Sequence, residues 1–179
     1  MRSVAALLII LFAAPLARGA EEASLLDGAV HVTIPDGYSQ LTSKEILGKF
    51  PRNNRPPFAA FADEQRNATM AFTLVQQSQP FSEDQLPDLL ASFEQVFPRM
   101  LAGLVWHERE VTSLGGRKWA RLHLSAHAID TDVKNDMYFT PFGGNILGVN
   151  LTATVDKWNE AHPALATAFR SIRIREQAP

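Results

Sequence analysis

The chain has no cysteine. Disulfides, zinc–thiolate sites and cysteine nucleophiles are therefore excluded, and the fold must be held by its core alone. The same absence removes the attachment point of a bacterial lipoprotein anchor. A basic excess is also lacking: 17 Lys+Arg stand against 19 Asp+Glu, which argues against a nucleic-acid partner. No nucleophile elbow, phosphate loop, His-Glu-x-x-His or dinucleotide fingerprint is present, and no residue set asks for a catalytic role.

Long apolar runs are confined to the N-terminus. Met1-Arg2-Ser3 is a positive start, Val4 to Leu16 is apolar, and Ala17-Arg18-Gly19 fits the small-x-small rule. Residues 1–20 thus read as a cleavable signal peptide, with cleavage after Gly19 or Ala20 fitting equally. The run falls short of the roughly 20 residues a membrane span needs. Without Arg2 and Arg18, 15 Lys+Arg remain against 19 Asp+Glu, a formal −4. About 159 residues are then left, the size of one ordinary domain. The expectation is a soluble periplasmic or secreted protein, with no stable membrane insertion after the signal is removed.

Strand-like alternation dominates Leu104 to Val155, which reads as a four-strand antiparallel meander. In Arg117 to Ile129, Ala120, Leu122, Leu124, Ala126 and Ala128 alternate with Trp119, Arg121, His123, Ser125 and His127. In Asn145 to Val155, Leu147, Val149, Leu151, Ala153 and Val155 alternate with Ile146, Asn150, Thr152 and Thr154. Gly115-Gly116 and Gly143-Gly144-Asn145 supply the hairpin turns.

The rest of the chain frames this meander. Residues 21–28 read as a mobile lead-in to a domain over 29–174, and residues 175–179 as a frayed tail. Ala29 to Ile34 reads as a strand, and Phe58 to Glu64 and Thr69 to Gln77 as a hairpin. Thr42 and Glu45 form a capping box ahead of a short helix, with Leu41 and Ile46 as its hydrophobic staple. Lys49 to Phe58, rich in proline and basic residues, reads as a stiff linker or a binding loop. Ser82 and Gln85 open a long helix to Leu101, whose stripe Leu86, Leu89, Leu90, Phe93, Val96, Phe97, Met100 and Leu101 is set to cover the face carrying Leu122, Leu124, Val149 and Leu151. Pro98 is expected to kink or end that helix. Trp158, Leu165, Phe169 and Ile172 line a C-terminal helix that Pro163 is expected to split.

Candidate ligands are few. His123 and His127 share a strand face but lie roughly 13 Å apart, too far for one metal ion. They read as polar-face histidines, with no metal or cofactor expected. The Asp130–Asp136 run has too few of the ligands of a calcium loop and reads as a hairpin connection. Asn67-Ala68-Thr69 and Asn150-Leu151-Thr152 match the glycosylation acceptor pattern, which is common by chance. Ser125 is no triad member, because His123 and His127 are its own strand neighbours.

Three stretches carry a family resemblance: Val32-Thr33-Ile34-Pro35-Asp36-Gly37-Tyr38, Leu114-Gly115-Gly116 and Phe169-Arg170-Ser171-Ile172. In their order of elements they resemble the PsbP-like superfamily, which includes the photosystem extrinsic protein, DcrB-like proteins and a Ran-binding import factor. The resemblance implies an α+β fold, an antiparallel sheet of about six or seven strands with helices packed on its faces. It also implies a non-catalytic protein-binding, assembly, chaperone or immunity-type module. The alternative is a small-ligand or metal-binding periplasmic protein, possibly an enzyme. The expected working surface is the polar side of the meander: Trp119, Arg121, His123, Ser125 and His127 from one strand, Asn150 and Thr152 from another. Whether helices cover that face is open, as is the partner's identity.

Overall fold

In the computed structural model, which describes residues 21–51, 55–128 and 130–175, the first two meander strands and the last two are each joined through a tight glycine turn. In chain order the elements are β1 (Glu22–Leu25), β2 (Val30–Thr33), β3 (Tyr38–Gln40), α1 (Ser43–Lys49), β4 (Ala59–Asp63) and β5 (Ala68–Val75). A single 3-10 turn, Glu83–Gln85, leads into α2 (Leu86–Met100). The meander β6 (Val105–Leu114), β7 (Arg117–His127), β8 (Asp132–Phe142) and β9 (Asn145–Thr154) follows, then α3 (Trp158–Arg170) and β10 (Arg173–Ile174). Both glycines of the β6–β7 turn and both of the β8–β9 turn have positive φ, between 55° and 76°. Such paired left-handed residues match the twist of the strands they join.

Seven strands form one antiparallel sheet in the order β3-β4-β5-β9-β8-β7-β6, and β1-β2-β10 form a second, smaller one. The register fixes what each face carries. Arg121 pairs with Tyr138, and Tyr138 with Val149; Leu122 pairs with Met137, and Met137 with Asn150. The apolar row of β9 therefore shares a face with the polar row of β7. Alternation within one strand shows which residues point together, but only the register says which row of the neighbour joins them.

The helices follow that division. α2 packs Leu86, Leu89, Leu90, Phe93 and Phe97 on Ala120, Leu122, Phe139 and Ile146. Val149 and Leu151 lie on the opposite face, against α3 and the small sheet, in the core that also holds Met70, Phe72, Leu165 and Phe169. The expectation that α2 covers all four residues is corrected: it covers the Leu122 and Leu124 side alone. Its stripe is also narrower than expected, since Val96 and Met100 are exposed.

α1 begins at the expected capping box, in which Thr42 Oγ1 accepts from Glu45 N–H at 3.3 Å and Glu45 Oε2 accepts from Thr42 N–H at 2.8 Å. Leu41 and Ile46 pack together with Ala60, Ala62 and Ala71. Both internal prolines are absorbed: α2 runs through Pro98 to Met100, and α3 is continuous through Pro163. Residues 21–28 do not form a loose lead-in, because Glu22–Leu25 pairs along its length with β2. Arg175 N–H donates to the Ala29 carbonyl at 2.8 Å, which ties down the start of the expected tail. The signal-peptide reading of residues 1–20 and the tail beyond Arg175 lie outside the described residues. No helix among the described residues is long and apolar enough to cross a membrane.

Candidate functional site

Beneath α3, the polar row of β7 meets a carboxylate from β8. Asp136 is 1% exposed and binds Arg121 through both oxygens, Nε to Oδ1 at 2.9 Å and Nη2 to Oδ2 at 3.2 Å. The fork geometry suits a carboxylate. Tyr138 donates its hydroxyl to Oδ2 at 2.8 Å, and His162 Nε2 from α3 lies 3.1 Å from the same oxygen. Burial alone would push the Asp136 pKa up, but the hydrogen bonds from His162, Arg121 and Tyr138 together outweigh it and hold the carboxyl below its ordinary value. Tyr138 is pushed the other way, first by burial and then by Asp136, so its hydroxyl remains a donor. On the solvent side, Glu108 and Glu110 of β6 reach Arg121 Nη1 at 2.5 Å and 3.3 Å.

A column of rings stands beside this cluster. The β6–β7 register shifts between Trp106 and Glu108, so His107 is an extra residue that bulges toward the α3 side. Its Nε2 lies 2.6 Å from Ser125 Oγ, and its ring lies 4.7 Å from that of His123. His123 in turn stacks on Trp158 at 5.3 Å, and Trp158 on His162 at 4.3 Å. The Ser125–His107 contact has no nucleophile's surroundings: Ser125 sits mid-strand, paired on both sides with Val105 and Lys134, so the neighbouring backbone donors serve the sheet rather than an oxyanion.

His123 Nε2 is buried without a partner among the described residues. Burial pushes the His123 pKa below its ordinary value, an effect that Asp136 opposes and that His107 and Arg121 reinforce. The unfolded chain therefore takes up this proton before the folded one does, and stability falls as pH drops below about 6.5 toward the folded-state pKa. His123→Phe keeps a ring in the stack and removes the titration. Denaturant unfolding at pH 7 and pH 5 is expected to show a smaller acid loss in the variant than in the parent. Equal losses would mean that His123 titrates alike in both states.

The expected surface is divided by the structure. Arg121, His123 and Ser125 do come together on the α3 side. Trp119 shares their face but is 2% exposed, packed into the core against Tyr138 and Phe169. It is not a surface contact residue. His127 stands at the strand end, paired with Asp132. Asn150 and Thr152 are on the opposite face, where Asn150 Nδ2 and Thr152 Oγ1 both donate to Asn135 Oδ1, at 3.2 Å and 2.8 Å. They line a cavity near the C-terminal ends of α1 and α2. Sequence reasoning missed His107, Glu108, Glu110, Asp136, Trp158 and His162. The bulge at His107 leaves no trace in the alternation, and the acids before Asp136 make it read as part of a hairpin connection, whereas β8 already runs from Asp132. Among the described residues, no three His, Asp or Glu side chains converge to hold a metal ion.

No protein-family model and no curated protein matches this chain. Solved structures do. Cyanobacterial PsbP (CyanoP) from Synechocystis is similar with a TM-score of 0.64 at 12% identity, over 93% of this chain and 99% of that one. LpqN of Mycobacterium tuberculosis, involved in cell envelope biogenesis, is similar with a TM-score of 0.58 at 16% identity, over 86% and 89%. PA94 of Pseudomonas aeruginosa, a protein of unknown function, gives 0.56 at 16% identity, over 88% and 99%. At these identities the likeness is one of fold, and it agrees with the resemblance drawn from the short motifs.

Proposed function

On this PsbP-like α+β fold, we propose that the protein is an exported, non-catalytic accessory module that holds a protein partner on the half-open strip beside α3. The observation that carries the reading is the strip itself. Glu108 and Glu110 have side chains 51% exposed, while Arg121 behind them is 22% exposed and fixed by Asp136. Fixed charges and flat rings at a partly open surface are the materials of a recognition site. Among the described residues β6 is also the last strand of its sheet, paired on β7 alone, so the strip borders a sheet edge. Two outward carboxylates favour a partner segment with basic side chains.

Several features support a non-catalytic role. Asp136 spends both oxygens on Arg121, Tyr138 and His162 and is held ionised, which suits an anchor better than a proton shuttle. Ser125 lacks oxyanion donors. Export is supported by the signal-peptide pattern of residues 1–20, and the envelope role named for LpqN is of the same kind.

The test is capture of partners from the native compartment by the parent protein and by Glu108→Gln/Glu110→Gln. Exposed ion pairs contribute about 0.2–1 kcal/mol, so the double variant should melt within a few degrees of the parent. Capture is expected to weaken about tenfold and to become less sensitive to salt. Undiminished capture with unchanged salt dependence would remove this strip as the interface.

A further inference from the structure

The opposite sheet face carries a second feature, independent of the strip. A cavity of about 600 Å³ opens near the C-terminal ends of α1 and α2, over β5, β9, β8 and the end of β7. Its size lies within the range of small-molecule sites, about 300–1,000 Å³. A gap between two helices on a sheet would ordinarily be floored by apolar side chains. Here the floor is a row of neutral polar ones, Thr69, Thr152, Asn135 and Asn150, brought side by side by the β5–β9 and β9–β8 registers.

Two of them are buried with nothing to bind among the described residues. Thr69 is 1% exposed, and its Oγ1 has no hydrogen-bond partner. Asn150 uses one end of its amide on Asn135, and the other end is buried and unpartnered. Exchanging the oxygen and nitrogen of that amide does not help, because one of the two atoms is left over either way. Buried polar atoms are nearly always satisfied, so a floor that keeps two of them open is one that a bound molecule completes.

We propose that this cavity binds a small neutral polyhydroxylated molecule of monosaccharide size. A hydroxyl both donates and accepts, so it satisfies Thr69 Oγ1 and either end of the Asn150 amide. In the orientation found, Asn150 Nδ2 is spent on Asn135 and the open end is an amide oxygen, which a carboxylate, only an acceptor, cannot serve. Leu101, the C-cap of α2, lines the cavity and brings the negative end of the helix dipole toward it. The two cations of the lining are engaged, Arg66 with Glu45 at 2.8 Å and Lys49 Nζ with the Arg66 carbonyl at 2.9 Å, and Asp130 stands in the same lining. Phe50, Leu101 and Val133 supply apolar wall for the hydrophobic face of a sugar ring.

The experiment is an NMR titration of the 15N-labelled protein with D-glucose, N-acetyl-D-glucosamine and D-glucuronate. The two neutral sugars are expected to shift the side-chain amides of Asn135 and Asn150, with glucuronate at least about tenfold weaker. Thr69→Val replaces the unpartnered hydroxyl by a methyl of the same shape. It should weaken sugar binding about tenfold, the loss of one hydrogen bond, while leaving the melting temperature equal or higher. No shifts with either neutral sugar would mean that ordered solvent alone fills the floor, and the proposal falls. It falls equally if glucuronate binds as well as glucose, or if Thr69→Val leaves the shifts unchanged. None of these results bears on partner capture by the strip across the sheet.

Discussion

Trp119→Ala is expected to destabilise the protein by about 3–5 kcal/mol, the usual cost of emptying a large aromatic site in a core. Domains of this kind are stable by only about 5–15 kcal/mol, so the variant should melt roughly 10 °C or more below its parent and express poorly. The ring is edge-on to Tyr138 at 6.4 Å and to Phe169 at 5.1 Å, and its Nε1 donates to the Leu114 carbonyl at 3.3 Å. Deletion therefore opens a cavity bordered by two other aromatics and removes the indole's hydrogen bond to Leu114. Trp119→Phe should recover much of the loss, because the packing survives without the indole N–H. A thermal melt decides the matter. A cost under about 1 kcal/mol would show a ring that is not buried, and the contact role expected from the sequence would then stand.

That reversal shows where the sequence stops being legible. Trp119, Arg121, His123 and Ser125 do lie in one row, as their spacing says. What differs along the row is the cover: Phe169 of α3 sits over Trp119, while Trp158, three turns earlier in the helix, lies over His123. One strand face thus runs from core to rim, and nothing in β7 itself marks the change. Asn150 and Thr152 fail differently. Their own alternation is right, but β9 enters the sheet in a register that turns them to the α2 side. The elements themselves were more readable, because caps, paired glycines and period-two alternation are local signals. The small sheet was not, since pairing Glu22–Leu25 with Val30–Thr33 depends on a turn through Leu26, Asp27 and Gly28 at φ of 51°, 53° and 84°. Asp27-Gly28 is a usual turn pair, but the turn also needs positive φ at Leu26, which a bulky side chain seldom adopts, and the strand before it is only four residues long.

Asp136→Ala is expected to cost about 3–5 kcal/mol, because removing one partner of a buried ion pair leaves the other uncompensated. Arg121 would keep only Glu108 and Glu110 on its solvent side, while the Tyr138 hydroxyl and His162 Nε2 lose their shared acceptor. The sign of the pH dependence follows from the lowered carboxyl pKa. An acid held ionised in the fold contributes stability that is fully present above the unfolded-state value of about 3.9 and is lost as pH falls through the folded value. The gap between parent and Asp136→Ala should therefore be widest near neutrality and should narrow below about pH 4. Asp136→Asn keeps the shape and some of the hydrogen bonds, so it should fall between the two. Urea unfolding across that range separates the alternatives: a gap that stays constant into acid would mean that Asp136 contributes packing alone. In that case Arg121 would owe its position on the strip to Glu108 and Glu110, and Glu108→Gln/Glu110→Gln would release it.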